Sequence, residues 1–115
     1  MNDAVATDTA LAATPAVSCT LPAELTIFTA AETRDRLLAL LARAEAEDLP
    51  LHVDASEVLD VDGAGVQLLV SLSRQCERDR RFLRLLSPAD ALVRACQVLG
   101  LSFWLSAQTP SADTA

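Results

Sequence analysis

Lysine is absent from this 115-residue chain, in which all nine basic residues are arginines. No ammonium group is therefore available for a phosphate-binding P-loop, for a Schiff base, or for the site of a receiver domain. The only histidine, His52, lies within an apolar stretch, so a serine or cysteine nucleophile paired with histidine has little support. We expect a protein that is not an enzyme and has no catalytic residues.

Paired cysteines and long apolar runs are also missing. Cys19, Cys76 and Cys96 are odd in number and far apart, without the short spacing of a zinc site or the pattern of a disulfide framework. Three reduced cysteines suit the cytoplasm, and no run of 18 or more apolar residues is present to span a membrane. We expect a cytoplasmic protein with no metal, no cofactor and no direct insertion into a membrane.

Positive charge is scarce relative to negative charge. Sixteen acidic residues against nine basic ones give a formal net charge of −7 and an isoelectric point near 4.4. This balance disfavours nucleic acid and anionic lipid as partners, because both are polyanions, and it favours a protein partner with a basic or polar face.

The length and the 51% apolar content predict one compact domain. Residues 1–15 and 107–115 are rich in alanine, threonine and aspartate without a lasting period, which predicts flexible tails. The folded domain is expected over residues 16–106.

The first half of this domain is predicted to begin with two short strands, over residues 16–21 and 24–28, that neighbour each other across a tight turn. Thr29 and Glu32 have the spacing of a capping box, in which the threonine accepts an N–H of the first helical turn. A helix is expected to follow over about residues 30–46.

The second half alternates strands and helices. Strands are predicted at residues 49–54, at 82–86 and, last, near 102–105, with a helix from Gly63 to about Asp79. A further helix is expected to start at Ser87 with Pro88 in its first turn and to stop at Gly100. The order is β-β-α-β-α-β-α-β, which predicts an α/β fold with a mixed sheet of four to five strands, parallel at its centre, and helices mainly on one face.

The turn that leads into the second helix is the candidate working site. Asp62 precedes the helix, where unpaired N–H groups and the helix dipole favour negative charge, so it is either a regulatory carboxylate or simply an N-cap. Gly63 and Gly65 lower helix propensity, which suggests either close approach of a partner or tight packing of the helix on the sheet.

The order of elements, the DVDGAG turn at residues 60–65, LPAEL at 21–25 and VLGL at 98–101 together resemble the STAS domain of sulfate transporters and anti-sigma factor antagonists. The resemblance covers about residues 18–106. The opening, LPAELTIFTAAE, looks especially like the stand-alone STAS proteins encoded with bacterial chemotaxis systems.

This resemblance implies a non-enzymatic regulatory domain that binds a signalling protein, either an anti-sigma factor that is also a kinase or a component of a chemotaxis pathway. In the family, a serine or threonine that the kinase phosphorylates stands where this chain has Asp62. Phosphate-controlled release is therefore not expected at this position, and the carboxylate is at best a partial mimic of phosphoserine.

The resemblance also implies where a partner would bind. The expected contacts are the turn and one position on the second helix: Asp60, Val61, Asp62, Gly63, Ala64, Gly65 and Gln67. An alternative is the STAS subunit of a lipid-transport ATP-binding-cassette complex, which would bind and stabilise the ATPase with the same helix.

Overall fold

The computed structural model describes residues 15–110. The predicted N-terminal tail lies outside these residues except for Pro15, as do residues 111–115 of the predicted C-terminal tail. The elements in chain order are β1 Val17–Thr20, β2 Glu24–Leu25, α1 Ala30–Glu47, β3 Leu51–Asp54, β4 Asp60–Val61, α2 Gly63–Arg78, β5 Leu83–Leu86, α3 Asp90–Val98 and α4 Ser102–Gln108.

The strands form two parallel sheets. One has the order β1-β3-β5 and the other pairs β2 with β4. The α/β fold with parallel central strands is thereby confirmed, and its five strands are divided between a three-stranded and a two-stranded sheet.

β1 and β2 were expected to neighbour each other, and this is wrong. β1 pairs with β3, whereas β2 pairs with β4. The chain leaves the first sheet after Thr20, and the carbonyl of Ala23 then accepts the N–H groups of both Leu59 and Asp60, at 2.8 and 3.0 Å. The segment after Pro22 therefore packs beside the residues that lead into α2 and does not extend the three-stranded sheet.

The two faces of the three-stranded sheet differ in polarity. Its register aligns Val17 with Leu51 and Leu83, which are all buried in the core. The next row, Ser18, His52 and Arg84, points to the opposite face because side chains alternate along a strand. Burial, and secondarily the charge of Arg84, lowers the pKa of His52.

The predicted last strand at residues 102–105 is wrong, because this segment is the helix α4. Leu105 donates its N–H to the carbonyl of Leu101 at 2.9 Å and is buried, and the indole N–H of Trp104 donates to the hydroxyl of Ser73 at 3.0 Å. A short apolar run does not distinguish a strand from a helix by periodicity. α4 continues to Gln108, two residues beyond the predicted end of the domain at 106.

Two predicted helix starts are corrected. The hydroxyl of Thr29 does not cap α1; it accepts the N–H of Thr26 at 3.1 Å and donates to the carbonyl of Glu24 at 2.8 Å. α3 begins at Asp90, after Ala89, rather than at Ser87, whose φ of 50° is left-handed. The Thr29 hydroxyl is thus used by the loop that precedes α1.

The predicted stop of α3 at Gly100 is confirmed. Gly100 has a φ of 74°, which favours glycine, and its N–H donates to the carbonyl of Gln97 at 3.1 Å. The N–H of Leu101 donates to the carbonyl of Cys96 at 2.7 Å, which completes a Schellman motif. Within residues 15–110, none of the helices has the length and apolar character required to cross a bilayer.

Candidate functional site

The turn at residues 60–65 is held against the segment that follows β2. Val61 pairs with Leu25 in the small sheet, and the N–H of Asp62 donates to the carbonyl of Leu25 at 3.3 Å. Asp62 has extended backbone angles and is the N-cap residue of α2. The start of α2 is therefore located by a strand that is distant in sequence.

The Asp62 carboxylate uses both oxygens within this chain. Oδ1 accepts the N–H of Gly65 at 3.0 Å, and Oδ2 accepts the N–H of Ile27 at 2.9 Å. The N–H of Ile27 and, next, that of Gly65 stabilise the anion and lower the pKa of Asp62. Asp62 is thus the predicted N-cap. It also connects α2 to the loop after β2, and this second role was not predicted from the sequence.

The two glycines of the turn have different surroundings. A Cβ at Gly65 would lie 2.7 Å from the carbonyl carbon of Leu25 and 2.8 Å from its Cγ, which are impossible contacts. A Cβ at Gly63 would meet nothing within 4 Å. Tight packing of helix on strand therefore explains Gly65, whereas the open space at Gly63 leaves room for another molecule.

Of the seven predicted contact residues, Gly65 alone is buried. Asp60, Gly63 and Gln67 are exposed, and the other three, Val61, Asp62 and Ala64, are partly buried. The surface offered to a partner therefore consists of five turn positions together with Gln67 on α2.

An open groove adjoins the turn. It has a volume of about 550 Å³ and lies between residues 59–63 and one side of α3. We call it the turn groove. Leu59 is 77% exposed and Val98 85% exposed, and Arg94 contributes a positive charge. Apolar side chains left in solvent beside a polar rim are typical of interaction sites.

Sequence reasoning missed the contribution of α3 to this surface. A signal was present, because Val98 and Leu99 lie at the end of a helix whose inward stripe is supplied by Leu92 and Cys96, which are both buried. Val98 and Leu99 are therefore apolar residues that the buried side of α3 does not require, which indicates a second apolar surface on this helix.

The outer face of α2 continues from the turn. Five of its six exposed residues follow one another at intervals of three or four, which places them on one stripe of the helix, and Glu77 is the sixth. The five are Gly63, Gln67, Ser71, Arg74 and Arg78. The opposite stripe, which includes Val66, Leu69 and Val70, is buried in the core. Gln67 thus lies where a protein docking on both turn and helix would meet it.

The acidic residues near the turn do not assemble a metal site. Asp54 is at the end of β3, where its Oδ1 accepts the N–H of Ser56 at 2.9 Å. Within the part of the chain that the structure describes, no group of three or more histidine, cysteine, aspartate or glutamate side chains is placed to hold a metal ion.

Comparison with known proteins gives a family and a fold. The family model described as "Mlab, STAS domain" matches residues 11–105. A crystal structure of a sulfate transporter family protein from Wolinella succinogenes has a similar fold, with a TM-score of 0.65 and 21% sequence identity over 84% of this chain and 78% of that one. Among curated proteins, none matches the sequence.

Proposed function

This chain belongs to the STAS domain family, a regulatory protein-binding fold, and we propose that it is a non-enzymatic cytoplasmic regulator that binds a signalling protein. The docking surface comprises the turn at residues 60–65, the turn groove beside it and the start of α2. The partner is an anti-sigma factor with kinase activity or a component of a chemotaxis-type pathway.

The exposed apolar side chains of the turn groove carry this proposal. Leu59 and Val98 leave most of their surface in solvent although they adjoin Asp62, the position that the family resemblance marks as the regulatory one. Burying such side chains on association is favourable by roughly 25 cal/mol per Å² of apolar surface. An apolar centre with Asp60 and Arg94 at its margin has the composition of a protein-binding surface.

The contacts of Asp62 support the proposal that partner binding is not regulated by phosphorylation at this residue. Both carboxylate oxygens accept N–H groups of this chain, so the charge is already compensated by Ile27 and Gly65. A phosphoserine would carry more charge and a third terminal oxygen for which these two donors do not suffice. We therefore propose that Asp62 acts as a constant cap and that the domain remains competent to bind.

The experiment that tests this proposal places charge in the turn groove. Tagged parent protein captures its partner from the native cell, and the affinity of the purified pair is then compared between the parent and the variants Leu59→Asp and Val98→Asp. We expect each variant to weaken binding by about tenfold or more, because it loses an apolar contact and must remove a charged group from water when the partner binds.

The matched control is Phe82→Ser. Phe82 is also an exposed apolar residue, but it precedes β5 and so lies at the opposite end of the sheet from the turn. This control should bind as the parent does. Unchanged affinity in both turn-groove variants would refute the proposed docking surface.

A second candidate function is that of a subunit bound to the ATPase of a lipid-transport ATP-binding-cassette complex. The matched family model, with its description "Mlab, STAS domain", favours it over a chemotaxis role. The exposed stripe of α2 would then form the main contact. Recovery of an ATPase together with a permease supports this candidate, whereas recovery of a kinase or a chemotaxis protein supports the first.

A further inference from the structure

A second apolar depression lies between α1 and α2, and we call it the α1–α2 groove. Nine residues line its volume of about 250 Å³, and five of them are leucines. Leu37 and Leu72 are each 4% exposed and form its floor, whereas Leu38 is 46% exposed. The groove therefore presents apolar surface that the fold itself does not cover.

The two helices run side by side in the same direction, because each returns from the carboxyl end of the parallel sheet to the start of the next strand. Arg34 lies in the second turn of α1, and Arg78 is the last residue of α2. Ten residues separate Leu68 from Arg78, which is about 15 Å at 1.5 Å per residue. The groove is thus about three helical turns long, with an arginine towards each end.

The charge lining this groove is positive although the whole chain is acidic. Its lining includes Arg34 and Arg78 but no carboxylate. Asp35 approaches Arg34 only to 3.9 Å with both side chains well exposed, an arrangement that contributes little. Arg78 donates to the neutral Oε1 of Gln75 at 2.8 Å, which orients the guanidinium without compensating its charge.

We propose that the α1–α2 groove binds an amphipathic helical segment of a partner protein that has leucine-like residues on its inner face and carboxylates about three turns apart. The apolar side chains would cover Leu38, Leu41 and Leu68, and the carboxylates would meet Arg34 and Arg78. Binding a helix in a groove between two helices repeats the packing of helix bundles. The groove shares Ser71 and Arg78 with the exposed stripe of α2, but it contains no residue of the turn or of the turn groove, so the inference does not depend on the first proposed function.

The test uses two synthetic helical peptides with the same leucine pattern. One, the acidic probe, has glutamates about three turns apart, and the other has lysines at those positions. Labelled peptide is titrated with the full chain and its fluorescence anisotropy is followed. We expect the acidic probe to bind at least about tenfold more tightly, and its affinity to fall as salt is added.

Charge reversal supplies the decisive variant. The double variant Arg34→Glu, Arg78→Glu should bind the lysine probe in preference to the acidic one, and Leu38→Asp should bind neither. Arg43→Glu, which changes an exposed arginine of α1 that lines neither groove, is the matched control and should keep the parental affinities. Circular dichroism establishes that each variant is folded.

Three results would overturn the inference. These are a failure of the acidic probe to bind the parent at concentrations up to about 1 mM, equal affinity of both probes, or retention of the parental preference by the charge-reversed variant.

Discussion

Gly63 and Gly65 are two residues apart in one turn, yet they belong to different parts of the molecule. Gly65 faces inwards, where the backbone of Leu25 excludes any side chain, whereas Gly63 faces open space. Sequence alone gives both glycines the same two explanations, close approach of a partner or close packing. The structure separates them, because one side of the turn builds the fold and the other side is available for binding.

The inward side also includes Asp62, and the outward side includes the turn groove. Asp62 connects the start of α2 to the loop after β2, so its loss affects the architecture. Leu59 and Val98 contribute little to the core, so their loss should affect a partner instead. Five substitutions at four positions test this division, and they are ordered here by their expected effect on stability.

Gly65→Ala should be the most damaging. The new methyl group would enter the space of the Leu25 backbone, so β2 or α2 must move. We expect the free energy of unfolding to fall by about 3 kcal/mol, the upper part of the range for overpacking. Chemical denaturation measures this loss, and a stability equal to that of the parent would show that the inward side is not closed.

Asp62→Ala should have the next largest effect, because it removes the acceptor for two backbone N–H groups. Asp62→Ser should be intermediate, since one hydroxyl can cap Gly65 but cannot also reach Ile27. Thermal melts at neutral pH give the ranking, with the parent the most stable. An equal melting temperature for serine and parent would show that the bond to Ile27 contributes nothing.

The same carboxylate predicts a difference at acid pH. The folded state lowers the pKa of Asp62 below its unfolded value, so the stabilisation is present above about pH 4 and is lost as pH falls through the lower folded pKa. The stability difference between the parent and Asp62→Ala should therefore shrink below about pH 4. A stability difference that stays constant down to pH 2 would contradict this role of the Asp62 carboxylate.

Gly63→Ala should act in the opposite direction on stability. A methyl group fits the open space and restricts the unfolded chain, so we expect a gain of about 0.4–1 kcal/mol. If the turn docks a partner closely, the same variant should bind more weakly. A gain in stability with full binding would remove Gly63 from the docking surface.

Val98→Ser should have the smallest effect on stability, within about 0.5 kcal/mol, because the side chain is largely exposed. Chemical denaturation of parent and variant side by side provides the measurement. A loss as large as that expected for Gly65→Ala would mean that Val98 supports the core, and the outward side would then be structural as well.

Much of the fold could be predicted from local patterns. The apolar periodicity of α1 and α2 located both helices to within a residue or two, and Gly100 ended α3 as expected. The errors arose where tertiary contacts determine the strand pairing or the type of secondary structure. The pairing of β2 with β4 rather than near β1 depends on contacts across about 35 residues, and the helix α4 depends on packing of Leu105 and Trp104.

The candidate site was only partly predictable. The N-cap role of Asp62 follows from its place before a helix, but the bond to Ile27 depends on where the loop after β2 lies. Likewise, Leu59 and Val98 come together only because α3 packs beside the turn. The sequence was enough to identify the turn residues that the family resemblance indicates. It was not enough to predict the surface around them.

The bond between Asp62 and Ile27 links two surfaces that otherwise look unrelated. The loop that it holds displays the side chains of Ile27 and Phe28 to solvent. A molecule bound to those two side chains would therefore be affected by a substitution at residue 62 without contacting that residue. Because one serine hydroxyl cannot bond both Gly65 and Ile27, a serine at residue 62 would remove this link between the loop and α2.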